Sequence, residues 1–320
     1  MSLRCLLTGG AALTAAAGEW SEDFSSPPER AGWSAFGEAD LFHWDESGEA
    51  LQVTWDSSRS NSYYLRALGT MLSRADDFSA SFDVTLDEVQ AGLDPEKPFT
   101  FELAVGFHRQ ADAVTPGFRR GTGNGSPNLV EIAWFPDTGY GPTLWPTVIA
   151  SNGRFNYSGS TDFTLLDLPV GRRHTLTMSF TAADATLRTS VRVDGAEAGP
   201  VKAVKLAATF TDFRVDTFAI RSYSDEGAGG SLRAKGWIDN IHVSLPPPPV
   251  DRIQLEPAGK GWATRCRVRA GWTAWLERSE DLAAWQEIGL PVAGEGTEVV
   301  LPDLLPPVGP AFYRVRADKP

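Results

Sequence analysis

Between Trp20 and Leu245 apolar and polar side chains alternate with a period of two, and no stretch carries the 3.6-residue period of an amphipathic helix. Phe82, Val84 and Leu86 alternate with Ser81, Asp83 and Thr85. Leu176, Met178 and Phe180 do the same with Thr175, Thr177 and Ser179, and Phe101, Leu103, Val105 and Phe107 with Glu102, Ala104, Gly106 and His108. Residues so spaced lie on opposite faces of a strand, one face toward a core and the other toward water. About a dozen such runs, with turn cues such as Asp194-Gly195, predict an all-β chain folded as an antiparallel two-sheet jelly-roll sandwich. No blade-like repeat is present, which excludes a propeller.

Pro246-Pro-Pro-Pro249 sets the domain boundary, because prolines donate no ladder hydrogen bonds and hold an extended spacer. The expected organisation is an export signal over 1–18, the jelly roll over 19–245, a linker over 246–250 and a small C-terminal β-sandwich over 251–320. Trp262–Val268, Ala274–Arg278, Glu298–Leu301 and Phe312–Arg316 read as strands of that last module. Charge divides at the same place. Residues 251–320 carry 9 basic and 10 acidic side chains, whereas the rest of the chain carries 20 and 31. A net charge of -12 repels phosphate backbones and anionic membranes, so nucleic acid is not an expected partner.

The first residues combine one positive charge at Arg4, a short apolar run and an Ala15-x-Ala17 end, the pattern of a secretory signal. That run is shorter than the ~20 apolar residues of a membrane span, and no second run of such length follows. A secreted, periplasmic or cell-surface location is expected. Removing the signal leaves Cys266 as the one cysteine, hence no disulfide, and its alternating setting reads as a small buried residue rather than a nucleophile.

Two segments give the large region a family likeness. Gly236-Trp-Ile-Asp-Asn-Ile-His-Val243 resembles the closing strand of concanavalin A-like lectin/glucanase jelly rolls, and Asn128-Leu-Val-Glu-Ile-Ala-Trp-Phe-Pro-Asp137 resembles their central concave strand. Trp33 with the run Asp76–Val84 is similar to the early strands of the same superfamily. In the C-terminal region, Trp275-Leu-Glu-Arg-Ser-Glu-Asp-Leu-Ala-Ala-Trp285 and Phe312-Tyr-Arg-Val-Arg316 resemble fibronectin III-like modules of planctomycete and verrucomicrobial exported proteins. The first resemblance implies a carbohydrate-handling face. The second implies secretion and an accessory role, with other cell-surface proteins as partners.

The resemblance also implies a test for hydrolysis. Family 16 glycoside hydrolases carry a nucleophilic Glu, a helper Asp two residues on and an acidic Glu beyond it. Here Glu131 holds the first place, Ala133 the second, and Phe135 or Pro136 the third. Asp137 stands about 20 Å away along a straight strand, too far for a retaining pair at ~5–5.5 Å. The chain is therefore expected to be a secreted, non-catalytic binder of extracellular polysaccharide. The alternatives are a divergent glycoside hydrolase or polysaccharide lyase using Glu131 with Asp137 or Asp216, and a structural surface-assembly protein.

Sugar binding asks for aromatic platforms beside hydrogen-bonding groups. Glu131, Asp137, Tyr140 and Trp145 form one candidate set, Tyr63 and Arg66 (with Tyr64) a second, and Tyr223 with Arg221 and Asp225 a third. Strand parity puts Val130, Ile132 and Trp134 toward the core, which leaves Glu131 exposed on the concave face and makes Tyr140 and Trp145 the better platforms. Four scattered histidines make no zinc set, and no cofactor is required by any motif. Calcium fits better, with Asp239 beside Asp23 as the candidate pair and Asp225 with Glu226 as another. Arg119-Arg120-Gly-Thr-Gly-Asn-Gly125 lacks the lysine and helix of a phosphate loop and reads as a connecting loop.

Overall fold

A computed structural model describes residues 18–93, 103–118, 120, 128–151, 157–225 and 231–319. The expected export signal up to Ala17, Phe101 and Glu102, Glu226, and all but Arg120 of the 119–125 run lie outside the described residues. Contacts divide the chain into two compact units, one spanning Glu19–Leu245 and the other containing Pro246–Pro320.

The first stretch of the large unit supplies β1 (Gly18–Glu22), β2 (Trp33–Phe36), β3 (Phe42–Asp45), β4 (Ala50–Asp56), β5 (Ser62–Leu72), β6 (Phe78–Ala91) and β7 (Leu103–His108). After a single helical turn, α1 (Gln110–Ala113), come β8 (Leu129–Phe135), β9 (Thr143–Ser151), β10 (Tyr157–Thr161), β11 (Thr164–Leu165) and β12 (Arg173–Thr181). The unit closes with β13 (Thr186–Val193), β14 (Ala196–Glu197), β15 (Val204–Lys205), β16 (Val215–Ser222) and β17 (Leu232–Leu245). These exceed the expected dozen because two-residue strands at the rims, β11, β14 and β15, carry no alternation long enough to read.

The strands form two antiparallel sheets. A nine-stranded sheet runs β14-β13-β12-β6-β17-β4-β3, with β1 also on β17 and β15 on β13. An eight-stranded sheet runs β10-β9-β8-β7-β16-β5-β2, with β11 also on β9. The turn between β13 and β14 is Asp194-Gly195, both at positive φ (48° and 85°), which matches the right-handed twist of the paired strands.

On β6, Phe78, Ala80, Phe82, Val84 and Leu86 are buried and alternate with partly exposed partners. They meet Val105 and Phe107 of β7, Val130, Ile132 and Trp134 of β8 and Phe218 and Ile220 of β16 in one continuous core between the sheets. Phe78 and Phe107 touch edge to face across it at 5.2 Å. Parity on β8 follows expectation: Trp134 packs inward and its indole N–H donates to the Leu166 carbonyl at 3.1 Å. The expectation of half-buried strands fails on β7 and β8, where every residue is buried. A second apolar cluster on the outer face of the eight-stranded sheet, including Tyr63, Leu65, Phe135, Phe118 and Ala113 of α1, covers what would otherwise meet water.

The small unit has six strands, β18 (Val250–Ala258), β19 (Gly261–Val268), β20 (Thr273–Ser279), β21 (Gln286–Ala293), β22 (Glu298–Asp303) and β23 (Phe312–Asp318). They form two three-stranded sheets, β18-β19-β22 and β21-β20-β23. Val250 already belongs to β18, so the linker is shorter than 246–250, and the Pro249 carbonyl accepts the Arg269 amide at 2.9 Å. Cys266 is fully buried, which pushes its thiol up to about 11 and makes it a poor nucleophile.

One close approach gives a stability test. At the β17–β6 register shift a Cβ on Gly236 would stand 2.3 Å from the Thr85 carbonyl oxygen, which is backbone and cannot turn aside. Gly236→Ala is expected to cost about 1–3 kcal/mol in urea unfolding. An unchanged midpoint would show that the two strands separate more easily than this contact implies.

Candidate functional site

Strands β5, β16, β7 and β8 lie side by side, and their outward positions include Ala104, Gly106, Ala133 and Ala219. Small side chains leave a depression in the middle of the sheet face. Gly106 is required there, since a Cβ would lie 2.4 Å from the Val130 carbonyl oxygen and 2.6 Å from the Glu131 Cα.

Glu131 and Arg221 lie over this floor. Arg221 starts opposite Tyr63 of β5 and extends along the sheet; its Nη1 donates to Glu131 Oε2 at 2.8 Å and its Nε to His108 Nδ1 at 3.1 Å. The Tyr223 hydroxyl donates to the same Oε2 at 2.9 Å, and Arg120 Nε donates to Oε1 at 2.5 Å. Glu131 and Arg221 are both 0% exposed. Burial alone would raise the Glu131 carboxyl, but the charges of Arg120 and Arg221 outweigh it and hold it below its ordinary value. Burial, with Glu131 nearby, pushes the Tyr223 phenol well up, so it stays a neutral donor. Burial and Arg221 hold His108 well below the usual histidine range. His108 is thus neutral, accepts at Nδ1 and carries its proton on Nε2.

These contacts correct the sequence reading in three respects. Glu131 is on the outer face, as parity requires, but it is buried there and not exposed. Tyr63 and Tyr223, expected as exposed platforms in separate clusters, are buried around Glu131, with ring centroids 6.2 Å apart. Arg66 does not accompany Tyr63, because it is an odd number of residues away from the outward face; it lies over the Trp20 ring at 4.1 Å. His108 and Arg120 were missed as site residues. The readable signal was Ala104, Gly106 and Ala133 on faces that should have been polar.

Asp137, Tyr140 and Trp145 stand where the strand ends. Asp137 is exposed and accepts the Gly139 amide at 2.7 Å, and Tyr140 is 85% exposed in the β8–β9 turn. Half-buried Trp145 connects Phe135 (5.3 Å) to exposed Phe163 (6.4 Å). Asp216 accepts the Gln110 amide and so anchors α1. The calcium expectation finds no support: burial raises the Asp239 carboxyl, with Asp83, Asp23 and Glu49 adding to it, yet Asp23 accepts from Ser25, and no three metal-ligating side chains gather among the described residues.

No family model matches the sequence, and no curated protein matches it either. Among solved structures, peanut lectin with a nine-residue peptide is 14% identical at a TM-score of 0.42, covering 72% of this chain and 99% of its own. Alginate lyase Aly36B is 11% identical at 0.41, covering 70% and 96%. The Emp47p carbohydrate recognition domain is 12% identical at 0.40, covering 71% and 95%. A likeness of this degree carries no information on ligand or activity.

Glu131→Gln leaves buried Arg221 facing a neutral amide and is expected to cost about 3–5 kcal/mol in denaturant unfolding. A loss below about 1 kcal/mol would mean that the ion pair does not organise this face. The pH profile offers an independent check. His108 and His174 are buried with pKa values held below 6.5, so the unfolded chain takes up protons that the folded chain refuses. Stability is therefore level above that pH and falls as pH drops through it, each histidine approaching about 1.4 kcal/mol per pH unit. Depressed Glu131 adds a further loss below its unfolded value of 4.5. Urea midpoints that stay level from about pH 7 to about pH 5 would contradict this.

Proposed function

We propose that the outer face of the eight-stranded sheet binds extracellular carbohydrate without cleaving it. The observation that carries this reading is the aromatic run Phe135–Trp145–Phe163 on the sheet that also holds the buried polar cluster, with Tyr140 exposed in the β8–β9 turn. Aromatic faces take the C–H faces of pyranose rings, and polar groups nearby take the hydroxyls. Binding without cleavage is favoured because Glu131 is held ionised and both of its oxygens are engaged. Such a carboxylate has no proton to donate to a leaving group, and both of its oxygens already accept, from Arg120, Arg221 and Tyr223.

Export through the N-terminal segment belongs to the same reading. So does tethering to other surface proteins through the small unit, where Leu290, Leu305 and Val308 present apolar side chains to solvent.

The test is affinity electrophoresis of the full chain in gels holding individual plant, algal and bacterial polysaccharides. Tyr140→Ala and Phe163→Ala alter exposed rings, so the fold should be unaffected while affinity falls about tenfold, or ~1.4 kcal/mol. Retention identical to the parent protein in both variants would remove the aromatic run from the binding site.

A further inference from the structure

The cluster around Glu131 contains three polar atoms that have no hydrogen-bond partner among the described residues: Tyr63 Oη, His108 Nε2 and Arg221 Nη2, all buried. Buried polar groups are nearly always paired, so three orphans in one cluster call for a partner. They belong together: the Tyr63 and His108 rings are 5.5 Å apart, Tyr63 is the cross-strand neighbour of Arg221, and Arg221 holds His108.

The chemistry of the three atoms says what that partner must be. Arg221 Nη2 can only donate. His108 accepts at Nδ1, so its Nε2 bears the proton and also donates. The Tyr63 phenol, pushed far above its usual range by burial, keeps its proton and donates as well. Glu131 accepts from Arg120, from Arg221 Nη1 and from Tyr223, but from none of the three orphans.

Resting on the carbohydrate-binding reading above, we infer that Tyr63, His108 and Arg221 receive an anionic oxygen group of a glycan, either a carboxylate or a sulfate ester. Arg221 Nη2 and His108 Nε2 only donate, so an anionic oxygen, which brings acceptors alone, suits them both, whereas a sugar hydroxyl also brings a hydrogen that the Tyr63 oxygen alone could take. The chain's net charge of -12 works against anionic ligands at long range, so selectivity comes from these donors at contact. Phe118 meets the Tyr63 ring edge-on at 6.4 Å, and Arg120, whose side chain is 16% exposed, pairs with Glu131, so these two side chains border the cluster.

Affinity electrophoresis of the full chain in polygalacturonate, dextran sulfate or uncharged dextran tests this. The parent protein should be retarded by an anionic polymer at least about tenfold more strongly than by dextran. Which polyanion acts distinguishes carboxylate from sulfate. Tyr63→Phe keeps the ring stacked on Phe36 at 5.5 Å and removes a hydroxyl with no partner among the described residues, so its thermal midpoint should not fall while anionic retention drops about tenfold. Equal retention by charged and uncharged polymers, or undiminished retention of Tyr63→Phe, overturns the inference and leaves the carbohydrate reading standing. No retention by these three or by any polysaccharide of the wider set overturns both.

Discussion

The ion pair between Glu131 and Arg221, at 2.8 Å with both side chains fully buried, dictates much of what surrounds it. Charges out of water are tolerable only when their remaining hydrogen-bonding capacity is met and solvent is kept away. This pair lies on the outer face of a sheet, where a two-layer sandwich would leave it wet. The chain therefore builds a partial third layer from α1, Phe118, Tyr63 and Tyr223. Asp216 ties α1 down through the Gln110 amide, and small residues beneath make the depression that accommodates an arginine lying along the sheet. Burial on both faces of β7 and β8 follows from that demand.

The sandwich was legible because period two is a direct consequence of strand geometry. Parity alone placed Trp134 inward and Glu131 outward. Parity is silent, however, on whether an outward face meets solvent or a third layer, and this is where the expected exposure of Glu131, Tyr63 and Tyr223 failed. The pairing of Glu131 with Arg221 joins residues 90 positions apart through β7, which stands between β8 and β16. No local pattern carries such a contact. Arg66 fails for the opposite reason: it is close to Tyr63 in sequence, and three positions along a strand put it on the other face.

In the small unit the pattern Phe312-Tyr-Arg-Val-Arg316 has a plain physical meaning. Arg314 lies over Trp285 at 4.2 Å and Arg316 over Trp275 at 4.4 Å, while Glu277 on the adjacent strand accepts from both arginines. The guanidinium planes cover indole surface while staying partly in water, a contribution that survives salt better than exposed ion pairs do. Tyr313, pointing the other way, donates to Asp303 at 2.9 Å. Alternation here separates two polar tasks on opposite faces of β23, rather than core from solvent.

Unpaired buried donors occur elsewhere in the molecule, and their settings differ. Trp55 Nε1 is a lone indole N–H in the apolar core between the sheets, where ring packing explains the residue and the orphan is its by-product. Tyr63 has no such explanation. Its ring stacks on Phe36 and meets Phe118 edge-on, and a phenylalanine would fill that space without burying a hydroxyl. His108 likewise needs only its Nδ1 to steady Arg221, and Arg221 only Nη1 and Nε to hold its two partners. Each orphan costs about 1–3 kcal/mol of unmet hydrogen bonding. Three such costs concentrated beside one ion pair, on the face that carries the exposed aromatics, mark a place where stability has been exchanged for the capacity to hold something else.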